Sequence, residues 1–325
     1  MTKTPFTDAD TEILEHHGSR MVRVRPTAGG DHRDWFTANA EALRSAMYEH
    51  AAVMVKSSGL VEQAELAEIA EEVGGRTLEY NERSTPRSRV TGKVYTSTEY
   101  PKDQSIPQHN ESAYSENWPH NVFFFCALAA ETGGETPVAD STAVLDRLPA
   151  ALVRRFEEKG VLYTRTYRTG MGLSWQEGFQ SDDKGYVESY CSDHGIETQW
   201  DGDVLRTRQR RPAVLAHPVT GQKVWFNQAH LFHVHALPDA VREGLLEICG
   251  EDGLPRNAYY GDGTPITADE IATILGVYDE ITLAETWNTG DLLMIDNLLT
   301  SHGRRPFTGD RKVLVAMTQR ETAGA

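Results

Sequence analysis

Gln108-His109-Asn110-Glu111 sets an imidazole and a carboxylate one residue apart. In an extended segment residues i and i+2 project to the same face, so His109 and Glu111 can converge on one point. A second imidazole from a distant strand would complete a set of two histidines and one carboxylate. That set leaves three positions of a metal open and is the arrangement of non-haem Fe(II) oxygenases. His302 is the candidate, lying in Ser301-His302-Gly303-Arg304 just after Asp291-Leu-Leu-Met-Ile-Asp-Asn297, which reads as a strand and a turn. A lone His-x-Glu is a weak signal, since most such pairs are solvated loop residues. Thr136, in Gly133-Gly134-Glu135-Thr136, and Arg311, in Thr308-Gly309-Asp310-Arg311, strengthen it.

Taken together these segments resemble the Fe(II)/2-oxoglutarate-dependent dioxygenases of the taurine dioxygenase (TauD/TfdA-like) superfamily, nearest to the syringomycin-type aspartyl and amino-acid hydroxylases. The resemblance is carried by His109-Asn-Glu-Ser-Ala-Tyr114 with Trp118-Pro119, by Phe124-Phe125-Cys126 through Gly133-Gly-Glu-Thr-Pro137, by Gly290-Asp-Leu-Leu-Met-Ile-Asp-Asn297, and by His302-Gly-Arg-x-Pro-Phe307-x-Gly-x-Arg311. It implies Fe(II) on His109, Glu111 and His302, with 2-oxoglutarate and O2 as cosubstrates and succinate and CO2 as coproducts. The far carboxylate of 2-oxoglutarate needs a buried cation, and arginine suits it because a planar, permanently charged guanidinium pairs with a carboxylate bidentately. Arg311 matches the family position and Thr136 matches a hydroxyl donor to the same group; Arg304 and Arg305 are the competing arginines. Arg311 is preferred because it begins a strand. The carboxylate ligand is Glu, not the more familiar Asp. Halogenating relatives lack the carboxylate altogether, so Glu111 speaks against halogenation.

Other polar residues compete for roles. His230-x-x-His233-x-His235 is the internal rival as a metal cluster, set against a polar pocket wall or ordinary hydrogen-bonded histidines. Asn110, Asn227 and Arg304 are candidates for substrate contact, and Arg83, Arg87 or Asn257 would suit a zwitterion. His120 and His217 read as structural and His16-His17 as solvated.

A net charge of −16 over 325 residues argues against a nucleic-acid partner, which requires a positive face. Cys126, Cys191 and Cys249 are scattered and odd in number, which suggests a reducing, cytoplasmic setting. No run approaches the roughly 20 apolar residues of a membrane helix, and the polar N-terminus does not read as a signal peptide.

The elements that must position the site are mostly strands. Residues 1–30 read as an irregular arm. Helices are expected over 35–50 and 61–73, the second closed by Gly74-Gly75, with a short strand at 51–55 between them. Strands follow at 93–98, 121–128, 136–140 and 161–167, and a helix at 145–159. Residues 169–200 read as an inserted lid. Further strands fall at 204–214, 217–221, 223–226, 281–287, 291–295 and 311–317, with helices at 238–249 and 267–278, the latter carrying a Thr267/Glu270 capping box. The pattern supports an α+β, mainly β chain; the resemblance sharpens it to a double-stranded β-helix (jelly roll) core with flanking helices. A single domain is expected: a helical part over 1–75, the core over 76–325 and the lid within it.

The function expected is hydroxylation of an amino-acid-like small molecule, free or presented on a carrier protein. Desaturation, epoxidation or cyclisation by the same chemistry is the alternative. A metal-free binding protein and a zinc hydrolase are the rivals from other classes.

Overall fold

A computed structural model of the chain describes residues 5–27, 29, 31–61, 63–78, 89–91, 94–96 and 100–319. Arg83 and Arg87 lie outside them. A nine-stranded sheet, mostly antiparallel, is built around the strand Asn121–Leu128, which pairs with Leu292–Asp296 on one side and Lys312–Gln319 on the other. All three strands are buried on both faces, so they read as continuous apolar runs and not as alternating ones. Alternation still decides which face each residue serves. Phe123, Phe125, Leu292, Met294, Leu314 and Ala316 pack beneath helices His32–His50 and Gln63–Gly74. Val122, Phe124, Cys126, Leu293, Val313 and Val315 form the opposite face.

Opposite that second face lies a three-stranded sheet in the order Val138–Asp140, Thr300–Arg304, Ile106–His109. A further four-stranded sheet joins Ile196–Asp201, Val204–Arg211, Val161–Tyr167 and Arg256–Tyr260. Its apolar face packs with helices Ala150–Lys159 and Ala268–Ile281. The capping box of the second helix forms as expected: Glu270 N–H donates to Thr267 Oγ1 while Thr267 N–H donates to the Glu270 carboxylate. Among the described residues no helix is long and apolar enough to cross a membrane.

Several expectations are corrected. The supposed irregular arm is a hairpin, Ala9–His16 with Ser19–Pro26, whose second strand runs parallel to Ala52–Val55 within the large sheet. The first 75 residues therefore contribute strands as well as helices, and no break in the sheet falls at residue 75. Its alternation was hidden by charged residues on an exposed outer strand. The helix expected over 145–159 is two, Ser141–Arg147 and Ala150–Lys159, because Pro149 sits at the N-cap of the second. Residues 217–221 form a turn between Val214–Ala216 and Lys223–Trp225, where His217 Nδ1 accepts from the Val219 and Thr220 N–H groups. Residues 282–287 are not a strand; Leu283 makes one isolated bridge to Val138. The segment 169–200 contains helices Trp175–Phe179 and Lys184–Asp193 and the strand Ile196–Asp201, closed around Tyr167, Trp175, Phe179, Val187, Cys191 and Leu205.

Candidate metal and cosubstrate site

Tertiary structure brings the three predicted ligands together. His109 is the last residue of its strand and stands directly opposite His302 in the antiparallel ladder with Thr300–Arg304. Their ring centroids are 4.4 Å apart. Glu111 is not in extended backbone as expected; it opens the turn after the strand, and Ser112 beside it adopts φ +55°. The turn carries the carboxylate back, so that Glu111 Oε2 lies 3.6 Å from His302 Nε2. One donor atom from each of the three residues lies within 4.8 Å of the others, and this is the one such group of ligating side chains among the described residues. His230, His233 and His235 form no such group.

The local supports explain the convergence. His109 Nδ1 is 2.8 Å from the Pro107 carbonyl. Donation there fixes the ring and the tautomer and leaves Nε2 as a lone-pair donor, the usual way a ligating histidine is oriented. The register shifts between His302 and Arg304, with Gly303 at the irregularity. A Cβ on Gly303 would stand 2.6 Å from the Ile106 carbonyl oxygen, so the close approach of the two histidine strands depends on that glycine. Asn297 holds the Glu111 turn: Glu111 N–H donates to Asn297 Oδ1 (2.7 Å), and Asn297 Nδ2 donates to the carbonyls of Glu111 (3.0 Å) and Pro119 (2.8 Å).

His109 and His302 line a cavity closed on the other side by Phe124, Val313 and Val315 of the large sheet, with Thr136 and Arg311 at its wall. Phe124 packs its ring 4.9 Å from that of His302. Arg311 lies one residue before the strand Lys312–Gln319, and its Nε donates to the Gly134 carbonyl (2.9 Å). Burial, reinforced by the nearby Arg304 cation, lowers the Arg311 pKa to about 10, so the guanidinium remains charged at neutral pH. Thr136 is buried, and its hydroxyl oxygen accepts from Trp287 Nε1 at 3.2 Å. Sequence reasoning missed Trp287 because nothing in its neighbourhood marks a polar task for it.

The competing arginines are placed elsewhere. Arg304 lines the same cavity, but its guanidinium donates to the carbonyls of Tyr100, Pro101 and Gln104. It clamps that loop, which leaves little for the substrate contact expected of it. Arg305 is exposed. Asn227 is also used internally: Nδ2 donates to the Ala213 carbonyl and Oδ1 accepts from the Ala229 N–H. Asn110 Nδ2 donates to Ser141 Oγ and the Asn297 carbonyl, which braces the ligand turn, while its Oδ1 is buried without a hydrogen-bond partner. His230, fully buried, lies 2.7 Å from the Gln108 carbonyl through Nε2, and burial lowers its pKa to about 4.

Two imidazoles lining a cavity, a carboxylate converging with them and a half-buried guanidinium at the cavity wall fit a divalent iron bearing a chelating dianion. Two neighbouring donors about 2.1 Å from an octahedral metal stand about 3 Å apart, close to the spacing found between Glu111 and His302. Residues 18–318 match the model of the family described as taurine catabolism dioxygenase TauD, TfdA family. The chain belongs to the TauD/TfdA dioxygenase family. The dapdiamide synthesis protein DdaC of Enterobacter agglomerans is 40% identical over 312 residues, 92% of this chain and 95% of its own. A clavaminate synthase-like protein of Arabidopsis thaliana is 32% identical over 85% of this chain and 83% of its own. Among solved structures, PvcB, an Fe, alpha-ketoglutarate dependent oxygenase from an isonitrile synthetic pathway, shares the fold at a TM-score of 0.57 and 15% identity, over 97% of this chain and 92% of its own. As a TauD/TfdA member the chain is an Fe(II)/2-oxoglutarate-dependent dioxygenase acting on a small molecule, which removes the binding-protein and zinc-hydrolase alternatives.

Proposed function

We propose that this dioxygenase hydroxylates an unactivated C–H bond of an amino-acid-like substrate in natural-product biosynthesis, with His109, Glu111 and His302 as the iron ligands. The observation that carries the reading is the convergence of one ligating atom each from His109, Glu111 and His302 within 4.8 Å of one another, at a cavity that the two histidines line together with Arg311 and Thr136. Arg311 takes the far carboxylate of 2-oxoglutarate as a bidentate partner, and Thr136 adds a hydroxyl whose lone pair is engaged by Trp287. Bound Fe(II), with 2-oxoglutarate and O2, supplies the oxidising power for C–H cleavage. The protein's share is positioning and exclusion of water: Pro107 orients His109, Asn297 holds Glu111, and Phe124, Val313 and Val315 keep the inner wall apolar.

A biosynthetic setting is supported by the likeness to DdaC, a dapdiamide synthesis protein. The large and small sheets facing each other across the cavity support the double-stranded β-helix reading. A free amino acid and one presented on a carrier protein both fit this reading, and a cytoplasmic setting belongs to it.

Anaerobic protein mixed with Fe(II) and then 2-oxoglutarate should develop the weak visible charge-transfer band of the chelate, and succinate release should then respond to the true substrate. His109→Ala and His302→Ala should fold and lose both. A folded protein that binds Fe(II) without developing the band refutes the site, and a desaturated or ring-closed product in place of an alcohol refutes hydroxylation alone.

A further inference from the structure

The two peptide carbonyls that flank His109 are both held by side chains of one short helical segment. His230 Nε2 lies 2.7 Å from the Gln108 carbonyl, and Gln228 Nε2 donates to the Asn110 carbonyl at 2.6 Å. A carbonyl can only accept, so His230 Nε2 carries the proton and donates. Gln228 is the N-cap of the helix Ala229–Phe232, and His230 is its second residue. These partners lie 122 and 118 positions from their acceptors, so the meeting is a product of the fold.

The helix is itself anchored. Gln228 N–H donates to the Tyr163 hydroxyl at 2.8 Å, and the Ala229 N–H donates to Asn227 Oδ1 at 3.0 Å. At its other end the Phe232 ring packs on Tyr163 at 5.0 Å and on Tyr114 at 5.2 Å. Tyr114 stands three residues after Glu111. The segment 228–232 therefore grips the ligand chain just before His109, just after it and again beyond Glu111.

Burial shows what His230 is for. It is 0% exposed, and its Nδ1 is buried without a hydrogen-bond partner. An imidazole buried for a single hydrogen bond is a poor source of stability, because its second nitrogen loses water and gains no partner. An apolar side chain at 230 would be desolvated at less cost, but it would leave the Gln108 carbonyl without this donor. Gln228 is buried too.

We propose that Gln228 and His230 are positioning residues of the iron site, holding the main chain on both sides of His109 so that its imidazole is in place for the metal. The orientation of the ring is set by Pro107, whose carbonyl lies 2.8 Å from His109 Nδ1. Its place in space is set by the two donors of the helix. Such outer partners govern affinity by fixing a ligand in advance. The role rests on the assignment of His109 as an iron ligand.

The test compares metal affinity with stability. Anaerobic protein in saturating 2-oxoglutarate is titrated with Fe(II), the chelate band giving the midpoint, and thermal midpoints are taken on metal-free protein. His230→Phe and Gln228→Met each remove one donor and keep the bulk. Each should raise the Fe(II) midpoint by about 10- to 100-fold at a temperature where the metal-free variant is fully folded. His230→Gln, which returns a donor to the same carbonyl, should restore tight binding. A purely structural role would lower the thermal midpoint and leave the Fe(II) midpoint of the folded protein unchanged. That result overturns the proposal, as does a His230→Gln variant that binds as weakly as His230→Phe. Should His230→Phe fail to fold, Gln228→Met carries the test. A wild type that develops no band, or a His109→Ala variant that keeps the wild-type midpoint, removes His109 from the site and the proposal with it. Loss of the band in His109→Ala beside wild-type midpoints in both helix variants removes only the positioning role.

Discussion

Asn297 and Glu111 are fastened to each other through one amide side chain and both backbone polar groups of one residue: Asn297 Oδ1 receives the Glu111 N–H at 2.7 Å, and its Nδ2 returns a hydrogen bond to the Glu111 carbonyl at 3.0 Å. They are 186 positions apart in sequence. Asn297 ends the Leu292–Asp296 strand and opens the turn that leads to His302, so one buried side chain sets the carboxylate ligand relative to the distant histidine.

Replacing that amide therefore acts on the metal without touching it. Asn297→Asp keeps the acceptor and loses both donors, leaving the Glu111 and Pro119 carbonyls unsatisfied in a buried place. Fe(II) affinity should fall by about 10- to 100-fold, read as the metal concentration needed to develop the 2-oxoglutarate chelate band. An unchanged midpoint in that titration would mean that Glu111 is held by other groups.

Arg311 and Trp287 should separate by magnitude. Arg311→Gln removes the charge proposed to pair with the far carboxylate of 2-oxoglutarate, and the apparent KM for 2-oxoglutarate should rise by about 100-fold, in line with the loss of one partner of a buried charge pair. Trp287→Phe removes only the N–H that donates to Thr136, a loss of about 1 kcal/mol and a rise of about fivefold. Steady-state kinetics in 2-oxoglutarate, with substrate saturating, distinguish the two. Equal effects would show that the guanidinium does not bind the cosubstrate directly.

Gly134 is a third handle on the same pocket. It adopts φ +74°, and a Cβ there would stand 2.9 Å from Arg311 Cδ and 3.1 Å from Phe307 Cβ. Gly134→Ala should cost about 1–2 kcal/mol of stability from the left-handed backbone alone. It should also raise the KM for 2-oxoglutarate, because the arginine must shift. A variant with lowered stability and wild-type KM would place the arginine's working position away from the Gly134 contact.

Buried His230 makes stability depend on pH in a definite direction. Burial lowers its folded pKa to about 4 from the ordinary 6.5, so below pH 6.5 the unfolded chain takes up a proton that the folded chain refuses. Stability is therefore complete above about pH 6.5 and falls as the pH drops toward 4, by about 3 kcal/mol for this residue. His230→Gln keeps a donor for the Gln108 carbonyl and removes the titration. Urea midpoints of metal-free protein between pH 4.5 and 7.5 should show a shallower decline in the variant. Parallel curves would assign the acid sensitivity to other groups.

The chemistry-bearing residues were legible because their types are demanded by the reaction and lie within recognisable segments. His109, His302, Thr136 and Arg311 line one cavity, and a Glu111 carboxylate oxygen lies within 4.8 Å of the ligating atoms of both histidines. The central strands were legible as apolar runs, and the Thr267 capping box as a local hydrogen-bond pattern. What the sequence could not decide is how side chains are spent. Arg304, Asn110 and Asn227 have the right polarity for substrate contact, yet each donates to backbone carbonyls brought near only by folding. The face of Phe124 likewise depends on which sheet covers it, and His230 is spent on the Gln108 carbonyl, 122 positions away in sequence. Residue type and spacing determined the reaction class of this protein. Register and packing, which are non-local, decided which of its polar groups are left to carry the reaction out.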